Sequence, residues 1–133
     1  MAIKGEKVGR FILERRLGTG SAGEVWKARD GEAIAAVKLY TQPDAAAVFR
    51  AGGLPMAVES ANLCRVLGGD TDANLPWIAT DYVEGPTLRE VMTAEKVVPL
   101  SAAIPIVIQL LRGLAALHKE KVGHGDLRPE NVH

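Results

Sequence analysis

The sequence predicts an α+β fold: a small five-stranded antiparallel sheet with one helix, leading into a helical segment. Three observations predict it. Short apolar or alternating runs separated by turn residues fill the first forty positions; a second pair of apolar runs flanks a Gly, Asp and Asn-rich turn; and apolar residues recur at three- and four-residue steps after Ser101.

In chain order, "FILERRLG" leads into the turn "TGSAG", and "EVWKARD" alternates apolar Val25 with charged Lys27. Asp30-Gly31 marks a tight turn before "EAIAAVKLY", which runs apolar through Ile34, Val37 and Leu39. "PDAAAVFRA" can form a helix with Pro43 and Asp44 at its start, interrupted by Gly52, Gly53 and Pro55. "NLCRVLGGDTDANLPWIATDYV" reads as a second hairpin. After the "VEGPTL" loop, Thr87 is placed to cap a short helix containing Leu88, Val91 and Met92. Ser101 is the expected cap of the longest helix, which carries Ile104, Val107, Ile108, Leu111, Leu114 and Leu117, with Pro105 tolerated in its first turn.

Composition narrows the function. At 133 residues the chain is one domain or a piece of one. Lys plus Arg and Asp plus Glu are both 16, so no net field favours nucleic acid or an anionic membrane. Cys64 is the single cysteine and cannot form an internal disulfide, and "MAIKGEKVGR" lacks the apolar core of a signal peptide. A cytoplasmic protein is expected. The most apolar stretch, Leu100 to Leu111, is shorter than the roughly 20 residues that span a bilayer, so no transmembrane helix is expected.

Gly18, Gly20 and Gly23 stand at G-x-G-x-x-G spacing in "GTGSAG". Glycines there let backbone amides approach a polyphosphate; a plain glycine-rich hairpin turn is the competing explanation. A dinucleotide-binding loop would need a helix next, whereas "EVWKARD" reads as strand. Val25 completes G-x-G-x-x-G-x-V, "AAVK" ends in Lys38 on the third predicted strand, and "HGDLRPEN" spaces Asp126 and Asn131. With these in order, the sequence resembles the protein kinase superfamily, most closely bacterial-type (Hanks-type) Ser/Thr protein kinases. Residues 1–10 would be an extension, 11–83 the N-lobe and hinge, and 84–133 a partial C-lobe ending in the catalytic loop.

The resemblance implies an ATP- and Mg2+-dependent enzyme acting on a Ser or Thr hydroxyl of a protein substrate; from the charge balance no nucleic acid partner is expected. Lys38 would meet the phosphates. Leu17, Val25 and Ala36 would roof the adenine slot, Thr80 would be the gatekeeper, and the backbones of Asp81 and Val83 would meet adenine. Asp126 would be the catalytic base, Asn131 a metal ligand, and Arg128, in place of the usual lysine, a charge for the transferring phosphate.

Gly125 departs from H-R-D, which implies independence from a phosphorylated activation loop. "HGD" is also similar to the loop of kinase-like small-molecule phosphotransferases, the aminoglycoside and choline kinase group. The helix glutamate expected to pair with Lys38 falls near Gly52 in one register and at Glu59 in another. No Asp-Phe-Gly segment occurs within the 133 residues, so a truncated, inactive chain or a non-catalytic nucleotide-binding or scaffold module is a further expectation. The long helix would lack partners for part of its apolar face, which favours self-association.

Overall fold

A computed structural model describes residues 1–42, 44, 47 and 58–133. The helix expected from Pro43, and the position near Gly52, lie outside the described residues. The chain divides into two compact units: Met1–Met56 with Arg65–Tyr82, and Ala57–Cys64 with Val83–His133.

The first unit carries an antiparallel sheet of β1 (Lys7–Val8), β2 (Phe11–Gly20), β3 (Gly23–Asp30), β4 (Ala33–Tyr40), β5 (Val66–Asp70) and β6 (Trp77–Asp81), in the order β1-β2-β3-β4-β6-β5. Among the described residues there are six strands rather than the expected five. The extra one is β1, too short to show any alternation, which folds back so that Val8 pairs with Phe11. Gly9, at φ +57°, makes that reversal; a methyl group there would lie 2.5 Å from the Trp77 ring. The β5–β6 hairpin forms at "GGDTDAN" as expected, with the Asp70 carboxylate accepting from the Asp72 and Ala73 N–H groups.

Period-two alternation sorts the strands into a dry face and a free face. Phe11, Leu13, Trp26, Ala28, Ala35, Val37, Leu39 and Ala79 form one buried cluster, joined by Ala2 and Val8. Trp77 meets Phe11 edge-on at 5.9 Å. Burying each large apolar side chain contributes about 1.5–3 kcal/mol. Glu24 is also buried and accepts a 2.8 Å hydrogen bond from the Trp26 indole N–H.

In the second unit, α1 (Leu88–Glu95) begins as expected at Thr87. The Thr87 hydroxyl accepts from the Glu90 N–H, and the Glu90 carboxylate accepts from the Thr87 N–H. Helix α2 (Leu100–Lys119) differs from expectation in two ways. It starts at Pro99 rather than Ser101, because the Pro99 carbonyl already accepts from Ala102 and Ala103. Pro105 therefore falls in the second turn, not the first.

The inward side of α2 carries Ile106, Leu110, Gly113 and Leu117, while Ile104, Val107, Ile108 and Leu111 are exposed. Spacing alone could not choose between these sides in a helix apolar almost all round. Gly113 helps decide it: a methyl group there would lie 2.9 Å from the Asn62 carbonyl. With 20 residues and a mean hydropathy of 1.8, α2 is long and apolar enough to cross a membrane by length and composition alone. The apolar stretch expected from sequence stops at Leu111, whereas the helix runs on to Lys119.

Leu13 is fully buried in the sheet's dry face. Leu13→Ala is expected to lower unfolding stability by about 2–5 kcal/mol, read from the urea midpoint at unchanged slope.

Candidate functional site

The β2–β3 hairpin closes with Gly20 opposite Gly23, and its three glycines do different work. A methyl group on Gly18 or Gly20 would meet nothing within 4 Å, whereas one on Gly23 would sit 1.8 Å from the Leu39 carbonyl oxygen. Gly23 thus lets the hairpin end lie on β4, where the Ala22 carbonyl accepts from the Thr41 N–H at 3.2 Å. Gly18 and Gly20 leave bare backbone of the kind that admits phosphate oxygens. Leu17 lies at the irregularity between Arg16 and Gly18 and is exposed.

Register then assembles the rest of this unit's candidates. Val25 is opposite Gly18 on one side and Lys38 on the other, and Lys38 is opposite Ile78. In the next row on the same face, Lys27 is opposite Ala36, and Ala36 is opposite Thr80. Val25, Ala36, Lys38 and Thr80, named from sequence, therefore share the free face of the sheet. Lys27 joins them; its alternation with Val25 was the available signal. Its ammonium lies 4.9 Å from the centre of the Tyr82 ring.

The half-buried Lys38 ammonium lies 5.0 Å from the centre of the Tyr40 ring. Among the described residues no carboxylate is within ion-pair distance of it. A desolvated ammonium held only by a ring keeps unmet capacity for an anion. Glu59 is exposed, in irregular backbone of the second unit.

Asp81 ends β6 with its side chain already engaged. Its carboxylate accepts from the Arg65 N–H at 2.8 Å and from Nε and Nη2 at 3.0 Å each. These bonds hold its carboxyl below the usual carboxylate range. The Asp81 N–H donates to the Arg65 carbonyl, and the Thr80 hydroxyl makes a long 3.4 Å contact with the Asp81 carbonyl. Val83 is exposed just beyond.

In the second unit, the loop after α2 turns at Gly125, whose φ of +80° favours glycine. The Asp126 N–H donates to His124 Nδ1 at 3.2 Å. Arg128 pairs with the Asp126 carboxylate, Nε to Oδ1 at 2.9 Å and Nη2 to Oδ2 at 3.3 Å. The 3-10 turn Pro129–Asn131 returns Asn131, whose Nδ2 donates to the Asp126 carbonyl at 2.8 Å and to Oδ2 at 3.2 Å. Asp126, Arg128 and Asn131, all read from sequence, are thus one bonded cluster. Its amide nitrogen spent, Asn131 keeps Oδ1, the hard oxygen a Mg2+ would take. Arg128 lies on Asp126, where its charge offsets that carboxylate.

Among the described residues no group of three His, Cys, Asp or Glu side chains could hold a metal alone. A Mg2+ here would need phosphate oxygens from a nucleotide to complete its shell. Arg65, Arg89 and Glu130 escaped the sequence reading, since their partners lie far along the chain.

A loop aspartate with oriented partners, a glycine hairpin with open backbone and a sheet lysine without a carboxylate partner among the described residues are each parts of the kind that phosphoryl transfer uses. The protein kinase domain model matches residues 11–133, and the chain belongs to that family. Ser/Thr protein kinase pkn2 of Myxococcus xanthus is 35% identical over 135 residues, a match covering 93% of this chain and 16% of that protein. The probable Ser/Thr protein kinase PkwA of Thermomonospora curvata is 31% identical, covering 95% of this chain and 18% of that protein.

The PknI kinase domain of Mycobacterium tuberculosis superposes with a TM-score of 0.84 at 24% identity, over 98% of this chain and 58% of that one. The chain therefore spans less than a fifth of those two relatives and corresponds to the N-terminal portion of a Ser/Thr protein kinase domain. Helix α2 falls inside the family match.

Gly23→Ala is expected to lower stability by at least about 2 kcal/mol, while Gly18→Ala leaves the thermal midpoint near wild type. Differential scanning calorimetry on the two variants checks this. For Asp81, the folded carboxyl titrates below the unfolded value of about 3.9, so its contribution is present above that pH and lost as pH falls through the folded value. The stability gap between wild type and Asp81→Asn should accordingly shrink below about pH 4 in urea titrations.

Proposed function

We propose that this chain is the nucleotide-binding and catalytic-loop portion of a Ser/Thr protein kinase, which moves the γ-phosphate of ATP to a protein hydroxyl. The observation that carries the reading is the Asp126 carboxylate held by Arg128 and Asn131 within one loop. An oriented carboxylate can accept the proton of an acceptor hydroxyl as oxygen attacks phosphorus. Lys38 would bind the phosphates and Gly18 and Gly20 admit them, with Leu17, Val25 and Ala36 lining the adenine slot beside Thr80. The Asp81 carbonyl and the Val83 backbone would meet the adenine edge. Asn131 Oδ1 would help hold Mg2+, which when bound would supply charge neutralisation at the phosphate oxygens.

The Ser/Thr kinase relatives favour a protein acceptor over a small molecule. The 133 residues contain no Asp-Phe-Gly segment, and that aspartate is the second metal ligand in the family's chemistry. A protein of these residues alone is therefore expected to show no turnover.

The test is phosphate transfer from Mg-ATP to Ser/Thr peptides by the full-length gene product. Asp126→Asn is expected to lower kcat on the order of 10²- to 10⁴-fold. Lys38→Ala should weaken Mg-ATP binding measured by calorimetry. Phosphorylation of aminoglycosides but not peptides would sink the protein-kinase reading. Turnover by residues 1–133 alone, abolished by Asp126→Asn, would overturn the expected inactivity.

A further inference from the structure

The catalytic-loop cluster is attached to α1 at two points that bracket Asn131. On one side of it, the Glu130 carboxylate accepts from Arg89 Nε at 2.9 Å. On the other, the Val132 carbonyl accepts from the Leu88 N–H at 2.7 Å. Leu88 is the first residue of α1, so its N–H has no partner within the helix, and Val132 supplies one. The Thr87–Glu90 capping box fixes where that first turn begins, and hence where Leu88 and Arg89 stand.

Asn131, between the two tethered residues, donates to both the carbonyl and the carboxylate of Asp126. The turn's own bonds, Asn131 N–H to the Arg128 carbonyl and Val132 N–H to the Pro129 carbonyl, make it a rigid unit. A shift of residues 130 and 132 would therefore carry the Asn131 amide away from Asp126.

We propose that Arg89 and Glu130 are positioning residues: with the Leu88–Val132 bond, their ion pair latches the 3-10 turn to α1 and so holds Asn131, and through it Asp126, in working geometry. Neither side chain touches the reacting atoms. The proposal rests on the kinase reading above. Arg89 and Glu130 are half-exposed, so the latch contributes little to global stability and acts on geometry, where small displacements cost rate steeply.

The experiment uses the full-length protein with Mg-ATP and a peptide substrate. Arg89→Ala and Glu130→Gln are each expected to lower kcat on the order of tenfold while leaving KM for ATP within about twofold. Exchanging the charges, Arg89→Glu with Glu130→Arg, should recover most of that loss. Amide hydrogen exchange across residues 126–132 should quicken in Arg89→Ala with the thermal midpoint unchanged. Wild-type kcat in Arg89→Ala, or a charge exchange no better than the single variants, overturns the latch alone. If the wild-type protein phosphorylates no peptide, the kinase reading fails and the proposal falls with it.

Discussion

The pairing of β3 with β4 is the constraint on which the first unit depends. Side chains alternate along each strand, so a one-residue slip would send Trp26, Ala28, Val37 and Leu39 to the open face and bring Val25, Ala36 and Lys38 into the dry cluster. Such a slip exchanges apolar bulk for an ammonium in the core and is forbidden by desolvation. Gly23 secures the register at one end, since only a residue without a side chain lets β3 meet Leu39 that closely. The turn at Gly31, φ +60°, secures the other, with Asp30 opposite Ala33. The candidate ligand-facing row is what remains once the core has taken the other side.

Charge is handled differently in the two units. On the sheet's open face the Lys38 ammonium lies over the Tyr40 ring and the Lys27 ammonium over the Tyr82 ring, contacts that leave a cation able to attract an anion. In the loop, the Asp126 side chain accepts from Arg128 and the Asn131 amide, while its backbone N–H donates to His124 Nδ1. Those donors fix the direction in which the carboxylate points within the loop. The same logic, applied at Asp81, produces a structural clamp instead. There Arg65 uses its backbone N–H and two guanidinium nitrogens on one carboxylate, which closes the open end of the β5–β6 hairpin.

Much of this was legible because it is local. Gly18, Gly20 and Gly23, the "AAVK" strand and "HGDLRPEN" each fall within a dozen residues, where spacing along the chain reports spacing in space. The Thr87 cap and the "GGDTDAN" turn were legible for the same reason. The failures share a cause. β1 depends on contacts with β2 rather than on its own two residues, and the start of α2 depends on which carbonyl first accepts a helical N–H. Arg89 and Glu130 lie 41 positions apart, and no periodicity joins them. That Gly23 serves packing while Gly18 and Gly20 stay open is likewise invisible in G-x-G-x-x-G, since it turns on where Leu39 lies.

Helix α2 shows how packing resolves what composition leaves open. Length and hydropathy alone would let it span a bilayer, and its outer side exposes Ile104, Val107, Ile108 and Leu111. Its inner side argues otherwise. Gly113 is buried because the Asn62 carbonyl approaches it so closely that a methyl group would lie 2.9 Å away. A spanning helix with that contact at mid-length would carry non-helical backbone into the hydrocarbon, where peptide groups without partners cost several kcal/mol each. Arg112, beside Gly113, would face the same medium. The helix reads better as part of a packed domain, in keeping with the kinase-domain match that runs through its whole length.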